Sequence, residues 1–279
     1  MATVLVRYCE IGLKSAPVRK RFEARLKENV LTMLAYDGVE ALVSQAGARM
    51  YLETEDPEGA VRAVTRVFGI ASVSIAEHSS SVMEDICAAA ERYSVGRIRD
   101  GASFAVRARR EGSHPYTSMD VGREAGSAIF EANKHRGIKV DLTGPDKEFY
   151  VEVRDSGAFI FDTYINGPGG LPLGTQGKVI AYTGDDRGVL SAWLMMKRGC
   201  RVLVTEDSDL LRKYDPNLRM TDISEDGKRD DVMGCVFGSS AQDDISFSAE
   251  CRDPAYFPTI GMDDAEVSVR MESLTEGKF

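Results

Sequence analysis

Several residue types that mark particular protein classes are scarce in this 279-residue chain. It has three histidines and five cysteines, and the cysteines form no CxxC pair. A structural zinc site needs about four clustered Cys or His ligands, so the sequence predicts no metal site. An odd number of cysteines in a chain of this length favours free thiols over a disulfide framework.

Long hydrophobic runs are missing as well. No apolar run approaches the roughly 18 residues of a transmembrane helix, so we expect no membrane span and no membrane partner. The first residues, MATVLVRYCE, lack the cationic stretch and apolar core of a secretory signal, which predicts a cytoplasmic protein. The 43% hydrophobic content is typical of two modest or three small folded domains and excludes a disordered chain.

Positive charge is also in short supply. The chain has 35 Lys and Arg against 44 Asp and Glu, a net charge of −9, which taken alone argues against binding to nucleic acid. The imbalance is uneven, however. Residues 1–165 carry 22 basic against 24 acidic residues, and residues 166–279 carry 13 against 20. Most of the acidity therefore belongs to the last third of the chain, and basic patches remain possible before it.

The first 76 residues follow the order βαββαβ. A short apolar strand is followed by a helix in which Val18, Phe22, Leu26 and Val30 recur every fourth residue. Two strands around Ala46-Gly47-Ala48 suggest a hairpin. Another helix opens at Pro57, and a further strand follows it. This order is typical of a ferredoxin-like domain.

Two more α/β units follow. Between residues 77 and 165 the pattern predicts two helices and several strands, with Ile86, Ala89 and Tyr93 on one helix face together with Val82. The Gly- and Pro-rich stretch 166–177 indicates a junction. Beyond it, a strand, a helix ending before Gly199 and another strand form a βαβ unit of a parallel sheet.

No catalytic constellation emerges from the spacing of reactive side chains. His114 has no nucleophile with an acid partner near it in sequence, and Lys178 lacks the glycine spacing of a Walker loop. We therefore predict no catalytic residues. We interpret Trp193 as a packing residue rather than a platform for a base.

Basic side chains cluster around the strand that begins at Ser103. The candidates for contact with RNA are Arg107, Arg109, Arg110, His114 and Tyr116. Guanidinium groups bind phosphates through paired hydrogen bonds, and exposed Tyr or His can stack on unpaired bases. The alternative is a strand face that is merely solvated.

A second group, Lys134, Arg136 and Lys139, lies where a helix is predicted to end. Cations are favourable near a helix C-terminus whatever their function. Contact with RNA and simple stabilisation of the helix are equally open for these three residues.

Taken in order, these segments resemble the tRNA 4-thiouridine synthetases, also known as thiamine-biosynthesis sulfurtransferases. EIGLK at 10–14 and RKRFE at 19–23 resemble the ferredoxin-like domain of that family, and VRARREGSH at 106–114 resembles its THUMP domain. GGLPLGTQ at 169–176 resembles its junction, and LMMKRG at 194–199 resembles the first helix of its PP-loop pyrophosphatase domain.

The resemblance implies an α/β fold whose N-terminal part is α+β. The expected parts are a ferredoxin-like domain (1–76), a THUMP domain (77–165), a linker (166–177) and a reduced PP-loop-like parallel α/β domain (178–279). It also implies that tRNA binds near its acceptor end and that Lys14, Arg19 and Arg21 approach it. For these three residues the alternative is the solvated face of an amphipathic helix.

The chain departs from the family where ATP would bind. Family members that form AMP carry S-G-G-x-D-S at this point, whereas this chain has Thr183, Gly184, Asp185, Asp186, Arg187 and Gly188. A glycine loop at a helix N-terminus cradles phosphates with backbone N–H groups and hydroxyls, and two aspartates place negative charge there instead. The sequence thus predicts a degenerate nucleotide loop and no cofactor.

Sulfur transfer lacks its nucleophile too. It needs an accessible thiolate, and residues 221–231, in the region where the family carries one, form an acidic stretch without cysteine.

We therefore expect a tRNA-binding protein that lacks ATP-dependent thiolation activity and presents tRNA to a separate modification enzyme. The alternative is an active ATP-dependent tRNA sulfurtransferase, making 4-thiouridine or the thiamine thiazole, in which Mg²⁺ bridges Asp185 or Asp186 to ATP. A small-molecule-binding or scaffolding protein is a third class, because ferredoxin-like folds host unrelated functions. Whether the chain forms a homodimer stays open.

Overall fold

A computed structural model describes residues 2–8, 10–222, 231–243 and 254–278. The chain divides into two compact units. The first unit consists of residues 1–6, 44–57 and 74–165, and the second consists of residues 7–43, 58–73 and 166–279. Most of the acidic stretch 221–231 lies outside the described residues.

The described strands between residues 2 and 166 form one large sheet. They are β1 (Ala2–Tyr8), β2 (Leu42–Ala46), β3 (Arg49–Thr54), β4 (Ile70–Ser79), β5 (Ser103–Arg110), β6 (Lys139–Val140), β7 (Lys147–Arg154), β8 (Gly157–Phe161) and β9 (Ile165–Asn166). Within the described ranges the order is β2-β3-β1-β4-β8-β7-β5-β6, and β9 pairs with β4. The strands β7 and β8 form an antiparallel hairpin, whereas β5 runs parallel to β7.

Antiparallel pairing of β4 with β8 makes this sheet continuous. Glu77, His78 and Ser79 pair with Ile160, Phe159 and Ala158. The strands predicted for the ferredoxin-like and THUMP segments therefore share one hydrogen-bonded ladder.

Two helices of the first unit pack on strands β5, β7 and β8. They are α3 (Met83–Ser94) and α4 (Ser118–Asn133). Three residues of the predicted face of α3, Ile86, Ala89 and Tyr93, are buried as expected. They lie in one cluster with Val121, Ala125 and Ile129 of α4 and with Phe104 and Phe149 of the sheet. Val82 is exposed, because it is the N-cap residue that precedes α3 and not a member of its apolar face.

The helices α1 (Ala16–Tyr36) and α2 (Pro57–Val64) lie almost entirely in the second unit. Pro17 stands in the first turn of α1, where its missing N–H costs no helical hydrogen bond. Phe22, Leu26 and Val30 are buried, as the four-residue spacing predicts, whereas Val18 in the first turn is half-buried.

The second unit also contains a parallel sheet. Its strands are β10 (Lys178–Ala181), β11 (Arg201–Val204), β12 (Arg219–Met220), β13 (Val232–Val236) and β14 (Ala255–Tyr256). They pair in the order β12-β11-β10-β13-β14 with every described pair parallel. The accompanying helices are α5 (Asp186–Lys197), α6 (Asp209–Arg212) and α7 (Asp264–Thr275). The predicted fold class, including a parallel α/β domain, is confirmed.

Trp193 of α5 lies in the core of the second unit. It is 4% exposed, and its ring meets Phe68 and Tyr214 edge-on at centroid distances of 5.4 and 5.8 Å. The interpretation of Trp193 as a packing residue is confirmed.

The stretch 166–177, predicted as a linker, is ordered by backbone hydrogen bonds. Gly69 N–H donates to Gly169 O (2.7 Å), and Leu171 N–H donates to Lys197 O (3.0 Å). Gly170 has a φ of +73°, and a Cβ built there would lie 2.1 Å from Lys197 O. Glycine is therefore the residue that lets this stretch pass so close to the end of α5.

Three global features of the described residues bear on function. None of the described helices combines the length and apolarity needed to cross a membrane. In the same ranges, no group of three or more metal-ligating side chains comes together. Cys87 and Cys200 are free, whereas the buried Cys235 is disulfide-bonded, so the general expectation of free thiols holds for the first two and is wrong for Cys235.

Asp215 is a buried acid in the second unit. It is 3% exposed, and Oδ1 accepts a hydrogen bond from the Asn217 N–H (3.0 Å). Oδ2 has no hydrogen-bond partner among the described residues and lies 4.0 Å from Arg201 Nη1. Burial raises the pKa of this carboxyl, and the attraction of Arg201 only partly opposes it.

We predict that Asp215→Asn stabilises the protein near pH 7, by roughly 1 kcal/mol, because it removes a charge that burial disfavours. A raised pKa in the folded state means that the wild type loses stability as pH rises from about 4 through that pKa. The advantage of the variant should therefore vanish near pH 3.5 and grow toward pH 7 in thermal unfolding followed by Trp193 fluorescence. Asp207→Asn, at an exposed ion pair, is the control; equal effects of both variants at every pH would contradict the prediction.

Candidate nucleic-acid interface

The strand β5 ends in two exposed arginines. Arg109 and Arg110 lie at its C-terminal end, and Arg110 Nη1 donates to Gly112 O (2.9 Å). They line a cleft of about 500 Å³, which we call the arginine cleft. Its charged side chains are Arg49, Arg109, Arg110, Glu111, Glu152 and Arg154.

An ion-pair network forms the floor of the arginine cleft. Glu152 Oε1 accepts hydrogen bonds from Arg154 Nη2 (2.6 Å) and from Arg49 Nε (2.9 Å). Arg154 Nη1 also donates to Glu111 Oε2 (2.6 Å). Burial lowers the pKa of Arg154, but the bonds to Glu152 and Glu111 outweigh it and raise that pKa, so the guanidinium stays charged.

Sequence reasoning missed Arg49 and Arg154. The spacing of Glu152 and Arg154 on β7 was the available signal, because residues two apart on a strand share a face. No local pattern could have added Arg49, since it joins Glu152 only through the fold.

The Arg107 guanidinium is bonded to other groups of the protein. Its Nε donates to Glu148 Oε1 (2.7 Å), and its Nη2 donates to Leu142 O (3.0 Å). Hydrogen bonds from Tyr150 and Arg107 lower the pKa of Glu148, so this pair stays ionised. Of the three candidate arginines on β5, Arg109 and Arg110 are the exposed ones.

The turn after β5 holds His114 and Tyr116 as a stacked pair. Their ring centroids are 5.5 Å apart with an interplanar angle of 14°. The Tyr116 hydroxyl donates to Ser81 O, and the His114 Nε2 lies 3.1 Å from Glu111 O. Both rings are therefore held beside the end of β5 and remain partly exposed.

The basic group at the end of α4 is mostly paired. Lys134 meets Glu131, and Arg136 Nε lies 2.6 Å from Asp100 Oδ1. Lys139 is exposed on β6 with no ion-pair partner in the described ranges.

The second unit carries its own basic surface at the start of α1. Lys14, Arg19 and Arg21 are all exposed, and the Arg21 guanidinium lies 5.4 Å from the centroid of the Phe22 ring. We call these three residues the α1 basic surface. No ion pair joins any of them to another described residue.

The loop 183–188 joins β10 to α5. The Asp185 carboxylate caps α5, accepting a hydrogen bond from the Gly188 N–H at 2.6 Å. The Thr183 hydroxyl donates to Glu206 O (2.7 Å) and accepts from the Glu206 N–H (3.0 Å). Gly188 is required here, because a Cβ would lie 2.2 Å from Tyr182 O.

Arg187 is the only cation of this loop, and it points into the protein. It is 9% exposed, and its Nη1 donates to Thr259 O (3.1 Å) and Met262 O (2.9 Å). Its Nη2 contacts Asp264 Oδ1 at 2.7 Å. The guanidinium thus ties α5 to the turn that precedes α7.

The loop surface is acidic as a result. Asp185 and Asp186 are exposed, and a Cβ built on Gly184 would lie 3.1 Å from the Glu206 carboxylate.

Comparison with known protein families gives the first two domains directly. Residues 3–74 match the ThiI ferredoxin-like domain, and residues 80–162 match the THUMP domain. Probable tRNA sulfurtransferases are similar over some 70% of this chain: one from Methanosarcina acetivorans is 41% identical over 203 residues, and one from Methanobrevibacter smithii is 40% identical over 207. The chain is a THUMP-domain relative of the tRNA sulfurtransferases.

The relationship covers part of each relative. The alignments span 71% and 72% of this THUMP-domain protein but 49% and 52% of the two relatives, so the chain spans about half of their length.

Two solved structures share the fold. PH1313 from Pyrococcus horikoshii Ot3 superposes with a TM-score of 0.82 at 28% identity, covering 99% of this chain and 100% of that one. A 4-thiouridine synthetase, solved as an RNA complex with bound ATP, superposes with a TM-score of 0.75 at 21% identity, covering 98% and 85%.

The loop of this THUMP-domain protein offers little to a phosphate. A phosphate needs backbone N–H groups, hydroxyls and a cation directed at it. Here the Gly188 N–H, the Thr183 hydroxyl and the Arg187 guanidinium all bind other groups of the protein. The exposed groups that remain include two carboxylates, which repel phosphate oxygens. Three groups of this loop that could hold a phosphate are therefore bonded to the protein itself.

We predict that Arg187→Met destabilises the second unit by roughly 2 kcal/mol, because Thr259 O and Met262 O lose a charged donor. Urea unfolding followed by Trp193 fluorescence measures the change. Arg219→Met, at an exposed strand position, should shift the midpoint by less than about 0.5 kcal/mol. Equal midpoints for both variants would show that the buried guanidinium does not hold the two segments together.

Proposed function

We propose that this protein binds tRNA through the arginine cleft and the α1 basic surface, near the acceptor end of the tRNA, and does not itself catalyse ATP-dependent thiolation. It then acts by presenting tRNA to a separate modification enzyme. The observation that carries the proposal is the exposed pair Arg109 and Arg110 in a segment that matches the THUMP domain.

The chemistry of the arginine cleft supports RNA as the ligand. Glu152 and Glu111 neutralise Arg49 and Arg154, so the outward charge of the cleft comes from Arg109 and Arg110. Guanidinium groups pair with phosphate oxygens, and the adjacent His114–Tyr116 stack offers flat faces to unpaired bases. The relatives named probable tRNA sulfurtransferases and the structural neighbour solved with RNA support the same class of ligand.

The occupied groups of loop 183–188 support the absence of thiolation activity. An adenylating enzyme stabilises transferring phosphate oxygens with donors that are free to reach them. In this loop the donors are bonded to other groups of the protein. The Asp185 carboxylate occupies the place of an anion at the N-terminus of α5, where it accepts the Gly188 N–H.

We predict that replacing both Arg109 and Arg110 with Gln weakens binding of total tRNA by about tenfold at moderate salt, because two phosphate contacts are lost. The slope of log Kd against log salt should fall by roughly two in a gel-shift titration. Arg123→Gln, an exposed arginine on α4 outside the cleft, is the matched control and should change neither quantity. Wild-type protein that fails to bind tRNA at low salt would overturn the proposal.

The second candidate is an active sulfurtransferase, which the exposed carboxylates of Asp185 and Asp186 favour as Mg²⁺ ligands. We expect no tRNA-dependent release of pyrophosphate when the protein is incubated with ATP, Mg²⁺, tRNA and a sulfur donor. A positive control with a full-length sulfurtransferase validates the assay. Pyrophosphate release that Asp186→Asn abolishes would establish the enzyme and refute our first choice.

A further inference from the structure

The second unit contains a cavity of about 690 Å³ whose lining follows α5 from Leu190 to Lys197. Loop 183–188 lies at the N-terminal end of α5 and Lys197 at the other, about 16 Å away for a helix of this length. The cavity lies between α5, the helix α7 and the segment 256–258. Its size is typical of sites for small molecules, which occupy roughly 300–1,000 Å³.

Positive charge converges on this cavity. Four cations line it, namely Lys197, Arg198, Arg270 and Lys278, against one acid, Glu10. Lys278 is partly neutralised by Glu276 at 2.6 Å. The cavity lining is therefore basic in a region that is acidic as a whole, since residues 166–279 carry 13 basic against 20 acidic residues. A concave surface of one sign focuses the field on ions of the opposite sign.

Lys197 and Arg270 approach the cavity from different helices. The Lys197 ammonium lies 5.2 Å from the centroid of the Trp193 ring, a cation–π arrangement. Burial and the charge of Arg270 lower the pKa of Lys197, and Glu10 opposes them. Two cations from different helices therefore line one cavity, where a bound anion would offset their charge.

The other walls are apolar and partly aromatic. Leu190, Leu194 and Met262 line the cavity together with Trp193, Tyr256 and Phe257. Such walls suit a flat ring, while the cations suit one negatively charged group. Inorganic phosphate would bind the cations but has no apolar surface to contact these walls.

We propose that this cavity binds a small aromatic anion, with the negative group at Lys197 and Arg270 and the ring against the apolar wall. The cavity shares no lining residue with the arginine cleft and contains no residue of the α1 basic surface, and the proposal does not depend on the function proposed for them. Neither the family matches nor the named relatives assign it.

The single tryptophan of the chain makes the site observable. The probe is 1-anilinonaphthalene-8-sulfonate, an aromatic sulfonate that accepts energy from excited tryptophan. Since Trp193 lines the cavity, probe bound there quenches Trp193 strongly. N-phenyl-1-naphthylamine, which has the same rings and no charge, tests whether the cations contribute.

We expect saturable quenching by one sulfonate probe per chain. Lys197→Met, which keeps the packing stem, and Arg270→Gln should each weaken sulfonate binding by about tenfold. Both should leave binding of the neutral probe within about twofold. Lys213→Met, an exposed lysine of the same unit outside the cavity, is the matched control.

Circular dichroism and the urea midpoint establish that each variant is folded, and the exposed Arg270 provides a second test if Lys197→Met does not fold. Sulfonate binding that is unchanged in Arg270→Gln and in folded Lys197→Met would overturn the proposal, as would equal affinity for the two probes. Competition by adenosine 5′-monophosphate but not by adenosine would support an anionic aromatic ligand of nucleotide size.

Discussion

A single buried carboxylate organises the first unit. Glu152 lies between Arg49 of β3 and Arg154 of β7, and one oxygen accepts hydrogen bonds from both guanidinium groups. A carboxylate with 5% exposure is stable as an ion only when such partners surround it. The pairing neutralises the floor of the arginine cleft, so the free positive charge is carried by Arg109 and Arg110 at its rim. The proposed contact with RNA depends on this division between internal and external arginines.

Arginine has the opposite use in the second unit. Arg187 occupies the loop in which a nucleotide-binding relative would need groups directed outward, yet it binds Thr259 O, Met262 O and Asp264. The loop therefore stabilises the fold of its own unit. Charge that could face a small ligand lies instead at the far end of α5, around Lys197 and Arg270. The start of α5 carries exposed carboxylates and its end carries Lys197. A phosphate site at the start of the helix would require the opposite charge there.

Much of the fold could be predicted because it follows from local periodicity. The four-residue spacing of Phe22, Leu26 and Val30 is that of a buried helix face, and all three are buried. Periodicity does not give the exact start of a helix. Val82 fits the spacing of the buried face, but it is the N-cap residue of α3 and lies outside that face. The continuous sheet could not be predicted, because the pairing of β4 with β8 joins strands about 80 residues apart.

The sequence by itself determined the order of strands and helices, the exposed basic residues of α1 and the acidic loop 183–188, since each depends on neighbours in the chain. The tertiary structure decided which charged groups are free. Arg49 and Glu152 are 103 residues apart, and Arg187 and Asp264 are 77 apart. Ion pairs form between groups that the fold brings within a few ångströms, and sequence spacing says nothing about such distances. That is why Arg107 and Arg109, two residues apart on one strand, differ in whether they are available to a partner.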